Sequence, residues 1–362
     1  MICNIIFVIL LVILLPRMDK IDKLNSLVSA STRICVTAHI HPDGDALGSG
    51  LALVGYLREC RRKDVALVVP DGVPESLSFI PRGFGEGSVL SYEESPALSK
   101  ARIEDSDLIF CLDCSSFSRT NPDIESMMKA SEAPKILIDH HLNPDTSSFS
   151  LAFSETEISS TCELLYGILK EMPDVKGDLD KLPMSTLEAL MTGMTTDTNN
   201  FANSVFPGTM RMASELIAAG VDRDRILSDL YNNYRENRLR LMGYLLSENM
   251  VISPEGAAVM ILDKECQNRF DFRQGESEGF VNMPLAVSDV KISLFLTEED
   301  GKFRVSIRSK RGISANKLAL TYFHGGGHEM AAGGRLYFPE DITSPKDAKA
   351  HILKVTREFL AR

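Results

Sequence analysis

No excess of basic residues runs through this chain: 39 Lys and Arg stand against 50 Asp and Glu, a formal net charge of −11. A long phosphate backbone is held through many Lys and Arg contacts, so this balance excludes a binder of long double-stranded nucleic acid. A nucleic-acid ligand would have to be short, or gripped by a small local cluster of bases. A disulfide framework is also missing. The seven cysteines (Cys3, Cys35, Cys60, Cys111, Cys114, Cys162 and Cys266) are odd in number and mostly lie in apolar runs, which suits a reducing, cytoplasmic setting. Cys111 and Cys114 form a nominal CxxC, but no second pair or thioredoxin-like context accompanies them. They read as small buried residues at the end of a core strand. Nor is there an apolar run of membrane length. Ile5 to Leu15 is continuously apolar but falls short of the roughly 20 residues a span requires, and it has neither a basic segment before it nor a small-residue cleavage site after it. Residues 1–17 read as a weak anchor or as sequence upstream of a natural start at Met18. The second is the expectation, with no stable membrane association. Internal repeats and low-complexity segments are absent.

What is present fits a two-domain globular protein. The 362 residues exceed the usual size of one domain, and 44% hydrophobic residues are enough for substantial cores. Ile34–Thr37, Val65–Val69, Leu108–Leu112 and Ile136–Ile138 read as strands, with a helix over Leu47–Cys60 after the first. This alternation predicts an α/β domain with a mostly parallel sheet flanked by helices. From Glu157 to about Asn249 the pattern is nearly all helix, with Pro183 in a first turn and a connecting helix over 233–250. Beyond Pro254 the pattern predicts a smaller α/β domain with a mixed sheet: a strand at Ala257–Leu262, a hairpin of Lys291–Leu296 and Phe303–Arg308, a glycine-rich loop and a terminal helix. The expected boundaries are 18–232, 233–250 and 251–362.

Three of the four strands in the first domain lead into acidic or histidine side chains. Ligands of open α/β sheets bind at the carboxyl ends of the strands, so His39, Asp43, Asp45, Asp113 and His140 should converge. Carboxylates with a few imidazoles and no thiolate suit Mn²⁺ or Mg²⁺ rather than zinc. Gly44 would let the turn aim Asp43 and Asp45 inward, an arrangement that makes sense around divalent ions because the two carboxylates alone repel. Six of the seven histidines fall in three clusters, His39/His41, His140/His141 and His324/His328, and only His351 stands apart, as a surface residue. In the second domain Arg308 and Lys310 share one face of an alternating strand, with Ser309 between them and Arg311 next. Gly325, Gly326 and Gly327 lack side chains that would block backbone N–H groups from a phosphate, and His328 can add a hydrogen bond. Together these residues form a compact basic site for a terminal phosphate in an acidic protein.

These motifs together resemble the DHH phosphoesterase superfamily. His39-Ile40-His41-Pro42-Asp43-Gly44-Asp45-Ala46 is similar to its first motif, Leu112-Asp113 to its second, Ile138-Asp139-His140-His141 to its third and Thr196-Asp197-Thr198 to its fourth. Gly325 to Gly333 resembles the glycine-rich motif of the DHH-associated C-terminal domain. The resemblance implies two divalent cations, with His39 and Asp43 on one, Asp45, His140 and Asp197 on the other, and Asp113 bridging. It makes His140, His141 and Asp197 catalytic, with His141 facing the substrate phosphate and Asp139 fixing its neighbours. Asn199 departs from the family's usual Gly; Asn tolerates the left-handed conformation, so the turn should survive. His41 stands where Asn or Ser is usual and receives no ligand role.

The resemblance further implies hydrolysis by a metal-bridging hydroxide in a cleft between the domains, with Arg308 and His328 anchoring the far end of a short substrate. Size and the Gly-Gly-Gly-His motif are most similar to the oligoribonuclease and pAp-phosphatase branch, which degrades short RNAs and dephosphorylates 3′-phosphoadenosine 5′-phosphate. A cyclic-dinucleotide phosphodiesterase, an exopolyphosphatase-like enzyme and a nucleotide-binding module with a dead site are the alternatives. A homodimer is left open.

Overall fold

The structure, a computed structural model, describes residues 17–361, so the apolar run of residues 1–16 lies outside the described residues. Among the described residues no helix is long and apolar enough to cross a membrane. The chain divides into two compact units, with the break between Asn232 and Asn233.

In the first unit residues 17–30 are helical (α1). There follow β1 (Arg33–Thr37), α2 (Gly44–Gly55), β2 (Asp64–Val69), β3 (Val89–Ser91), α3 (Pro96–Glu104), β4 (Leu108–Leu112), α4 (Pro122–Ala130), β5 (Lys135–Asp139) and β6 (Leu151–Ser154). Four helices complete it: α5 (Thr161–Glu171), α6 (Met184–Asp197), α7 (Pro207–Ala218) and α8 (Arg223–Tyr231). The strands form one sheet in the order β3-β2-β1-β4-β5-β6, with every pairing parallel. Parallel strands must be buried on both faces, which is why β4 and β5 are apolar nearly throughout and fully buried. One face packs Ile34, Val36, Phe110 and Ile138 against α2 and α5; the other packs Cys35, Ile109, Cys111 and Leu137 against Ile103, Ile124 and Met128 of α3 and α4. Each such buried Leu, Ile or Phe contributes about 1.5–3 kcal/mol. The strand order reverses between β1 and β4, and that switch point is where such a sheet opens a crevice.

The helices α2 and α6 approach closely because small residues line their contact. A Cβ at Gly44 would overlap the Thr196 side chain, one at Gly48 would lie 2.6 Å from the Ala189 carbonyl oxygen, and one at Gly193 would overlap the Cys162 sulfur. This corrects the expected role of Gly44. It lies in the first turn of a helix, and what matters is the room it leaves for Thr196 at the end of α6.

The second unit contains α9 (Glu236–Tyr244), β7 (Val251–Ile252), β8 (Ala257–Leu262), α10 (Lys264–Arg269), β9 (Ile292–Glu299), β10 (Lys302–Ser309), α11 (Ala315–Tyr322), β11 (Gly326–Gly327), β12 (Ala331–Tyr337) and α12 (Ala348–Leu360). Its mixed sheet runs β11-β12-β10-β9-β8-β7, with only β8 and β9 parallel. Gly301, with φ of +74°, makes the β9–β10 turn. One sheet face packs on α11 and α12; part of the other is covered by Leu241 and Leu245 of the α9 segment together with Phe280. The helix expected to be a connector is thus part of this unit's core. Arg238 fixes it there, its guanidinium 3.7 Å from the Tyr234 ring centroid and 4.9 Å from that of Phe280. Three expectations shift in detail. Pro183 caps α6 from just outside its first turn. The stretch after Arg308 holds α11, β11 and β12 rather than an open loop. His351 is half-buried, and burial pulls its imidazole down.

Candidate metal centre

The cluster is assembled at the carboxyl ends of β1, β4 and β5 and completed by α2 and α6. His39 follows β1, where its Nδ1 meets the Ile40 carbonyl oxygen at 2.8 Å, leaving Nε2 turned to the carboxylates. Asp43 caps α2, its Oδ1 accepting from the backbone N–H groups of Asp45 and Ala46 at 3.0 and 3.1 Å. Its Oδ2 lies 3.9 Å from His39 Nε2. Asp113 follows β4 with φ of +53°, a left-handed conformation that costs about 1–3 kcal/mol in a non-glycine residue and is maintained only where the surroundings enforce it. Its N–H donates to the Ile138 carbonyl at 3.0 Å and holds it beside β5. His140 and His141 leave β5 in succession, and Asp197 is the last residue of α6.

Asp113 stands at the middle. Its Oδ2 faces His39 Nε2 at 3.3 Å, while its Oδ1 is 3.6 Å from His140 Nε2 and 3.4 Å from His141 Nδ1. It belongs to three sets of converging donors: His39, Asp43 and Asp113 on one side, Asp45, Asp113 and His140 on the other, and Asp113 with Asp139 and His141. Asp197 joins the second set through an Oδ2 that lies 3.5 Å from His140 Nε2. All six residues predicted from the strand ends and motifs are therefore brought together.

The electrostatics fit divalent cations. Burial, then the negative charges of Asp113 and Asp197, push the Asp45 carboxyl well above the usual range. Burial also opposes ionisation of Asp113, but His141, His39 and His140 outweigh it and hold that carboxyl well below the usual range. Burial draws the His39 imidazole down, yet its bond to Asp113 and the charges of Asp43 and Asp113 raise it to about 9. The donors are carboxylate oxygens and imidazole nitrogens with no thiolate among them, so the residues suit hard divalent ions. Asp139 Oδ1 meets His141 Nδ1 at 2.8 Å, and its Oδ2 is buried without a hydrogen-bond partner.

Several contributors lie outside the sequence motifs. The first turn of α5 cradles Asp45, with Thr161 N–H at 2.7 Å from its Oδ2 and Cys162 N–H at 2.9 Å from its Oδ1, a helix N-terminus favouring negative charge. Thr161 Oγ1 donates to Asp113 Oδ1 at 3.0 Å. Glu163 holds that turn, accepting from Ser159 and Thr209. Asp71, after β2, accepts from the His41 N–H and lies 3.1 Å from its Nδ1. A Ser-Ser-Thr run three residues before a Glu at a helix start was the available signal for the α5 turn; nothing local marked Asp71. Asn199 has φ of +47°, the left-handed turn anticipated for it.

The substrate-binding residues expected in the second unit lie on or beside β10 and β11. Arg308 is registered opposite Ala331, and His328 N–H donates to the same Ala331 at 2.7 Å, so the two flank one residue. The backbone cradle expected at the glycines is not formed by Gly327 and His328, whose N–H groups are already engaged, the former by Asn316 Oδ1 at 2.9 Å. The glycines serve backbone approach: a Cβ at Gly325 would overlap the Gly333 carbonyl oxygen, and one at Gly327 would lie 2.7 Å from that of Ala331. Ser309 is buried and its hydroxyl donates to the Ile313 carbonyl at 2.6 Å, and Lys310 Nζ donates to the carbonyls of Val287 and Ser288. Both side chains are thus engaged within the fold.

Comparison with known proteins agrees with these motifs. Residues 33–194 match the DHH family N-terminal domain and residues 256–361 the DHHA1 domain. The bifunctional oligoribonuclease and PAP phosphatase NrnA of Bacillus subtilis is 30% identical over 86% of this chain and 91% of its own length. The cyclic-di-AMP phosphodiesterase PdeA of Listeria monocytogenes is 23% identical over 88% of this chain but only 46% of its own length. Among solved structures, an exopolyphosphatase-related protein from Bacteroides fragilis superposes with a TM-score of 0.84 at 34% identity, covering 95% of this chain and 97% of that one.

Proposed function

The chain belongs to the DHH family, and from that membership we propose that it is a metal-dependent phosphoesterase that degrades short oligoribonucleotides and removes the 3′-phosphate of 3′-phosphoadenosine 5′-phosphate. The observation that carries the reaction type is Asp113, one carboxylate with its two oxygens turned to two different histidine-containing donor sets. The substrate class rests on the NrnA relative, matched over most of both chains, and on the net acidic surface, which disfavours long polyanions.

His39, Asp43 and Asp113 would hold one ion and Asp45, Asp113, His140 and Asp197 the other. Each set includes an imidazole, a mixed environment better suited to Mn²⁺ than to Mg²⁺, which favours oxygen ligands and retained water. Bound there, the ions supply Lewis acidity, activating water and neutralising phosphoryl charge. The remaining steps belong to the side chains. The α5 amides hold Asp45 in place. Asp139 fixes the His141 ring through Nδ1, so proton transfer or hydrogen bonding to the phosphate runs through Nε2. Arg308 and His328 bind a distal phosphate or base of the substrate. The unpaired state of all six described cysteines supports a cytoplasmic location.

A side-by-side turnover assay on 3′-phosphoadenosine 5′-phosphate, 5′-phosphorylated di- to pentanucleotides, cyclic di-AMP and pyrophosphate, each with Mn²⁺ and Mg²⁺, tests this. The first two substrate classes with Mn²⁺ should be fastest. Preference for cyclic di-AMP or pyrophosphate would overturn the substrate assignment, and inactivity on every phosphoester would overturn the reaction type.

A further inference from the structure

Six residues beyond Asp113, Arg119 lies in the loop between β4 and α4. Its backbone is fastened on both sides. The N–H donates to the Ser116 carbonyl at 3.1 Å, and the carbonyl accepts from Ile40 N–H at 2.8 Å. Ile40 is the residue whose own carbonyl orients His39, so Arg119 and the first ligand loop are tied together. The side chain is half-buried, and its charge reaches His39 and Cys114. Even so, among the described residues the guanidinium makes no hydrogen bond and no ion pair.

Other partly buried arginines of this unit are engaged. Arg58 donates to the carbonyls of Val65, Phe84 and Gly87, Arg61 reaches Asn25, Tyr56 and Asp174, and Arg102 pairs with Asp64 at 2.8 Å. A guanidinium carries five donors that ordinarily find acceptors when withdrawn from water. Arg119 stands beside a carboxylate cluster and pairs with none of its members, and its positive charge cannot help to hold cations. A planar fork of uncommitted donors at the rim of a phosphoester site matches one ligand chemistry, the non-bridging oxygens of a phosphoryl group.

We propose that Arg119 binds the phosphoryl group undergoing hydrolysis, gripping the oxygens on which negative charge accumulates. The inference rests on the phosphoesterase reading and adds a substrate-binding residue that the motifs do not include. It assigns the reacting phosphate to an arginine of the first unit, distinct from the distal anchor at Arg308.

The test compares wild type with Arg119→Ala and Arg119→Lys under Mn²⁺, on bis-p-nitrophenyl phosphate and on 3′-phosphoadenosine 5′-phosphate, with calorimetric titration of inorganic phosphate and measurement of bound metal. Loss of a donor aimed at developing charge costs about 10²–10³-fold. Arg119→Ala should lower kcat/KM on that scale and by similar factors on both substrates, weaken phosphate binding and leave metal content unchanged. Arg119→Lys should recover only part, because it restores charge without the fork. A loss confined to the nucleotide, or a Lys variant indistinguishable from an active wild type in turnover and phosphate binding, overturns the role of Arg119. Inactivity of the wild type on both substrates would instead refute the phosphoesterase reading. If the Ala variant does not fold, the Lys variant decides by the same criteria.

Discussion

The two units hold their polar side chains in opposite ways. In the first, His39, Asp45, Asp113, Asp139 and His140 are all less than a tenth exposed and interlocked. In the second, Arg308 on β10 and His328 just after β11 are only half-buried, and the glycines nearby serve backbone packing. Buried carboxylates at this density are tolerated only with compensating positive charge, so the first site is specified by a chemical demand that each member shares. The second unit shows no such density of buried charge around Arg308, and its glycines answer to close backbone approach. The sharpest way to break this contrast is to remove the shared member. Asp113→Ala should lower Mn²⁺-dependent turnover at least about 10³-fold, the scale for one member of a group that acts as a unit, with the circular dichroism spectrum unchanged. Near-normal turnover in a folded variant would mean that the donors do not function together.

Interlocking also predicts a pH dependence confined to the first unit. The His39 imidazole is raised to about 9 by Asp113 and Asp43 despite its burial. Below that pH the ring keeps a proton that a metal ion must displace; above it the ring is already neutral. Apparent Mn²⁺ affinity should therefore rise with pH, by up to about tenfold per unit for one released proton, and level off near 9. Calorimetry in buffers of different ionisation enthalpy measures the protons released. An affinity independent of pH between 7 and 9 would mean that His39 is not a ligand.

The same contrast explains what could be read from the chain. β1, β4 and β5 were legible because each is a short apolar run leading into Asp or His, and burial on both faces leaves no polar alternation to confuse the pattern. Asp197 came only with the fourth motif, since it ends a helix rather than a strand. β3 has three residues, too few to show a period. β12, Ala-Ala-Gly-Gly-Arg-Leu-Tyr, starts with residues of poor strand preference and is held by its partners β10 and β11. The glycines nearby invited a phosphate-loop reading because glycine marks close backbone approach without saying to what; here it is to the neighbouring strand. The α5 turn was marked as a helix start, but the contacts of Thr161 and Asp71 with the first and second motifs are tertiary, and no spacing encodes those.

The smallest expected effect falls on the second unit. Arg308 faces no interlocked partner; its Nη1 donates only to the carbonyl of its neighbour Ile307, at 3.0 Å. Its removal should leave both the fold and the metal centre intact. A charge-assisted hydrogen bond contributes about 1.5–3 kcal/mol, so Arg308→Ala should raise KM for 3′-phosphoadenosine 5′-phosphate and dinucleotides roughly tenfold to a hundredfold. Bis-p-nitrophenyl phosphate has no distal phosphate for Arg308 to hold, so its hydrolysis should be nearly unchanged. That selectivity is the opposite of what Arg119→Ala should show, and the pair of variants separates an arginine that holds the reacting phosphate from one that measures what lies beyond it. Equal losses on both substrates in Arg308→Ala would place this side chain with the chemistry instead, and the division of labour between the two units would not hold.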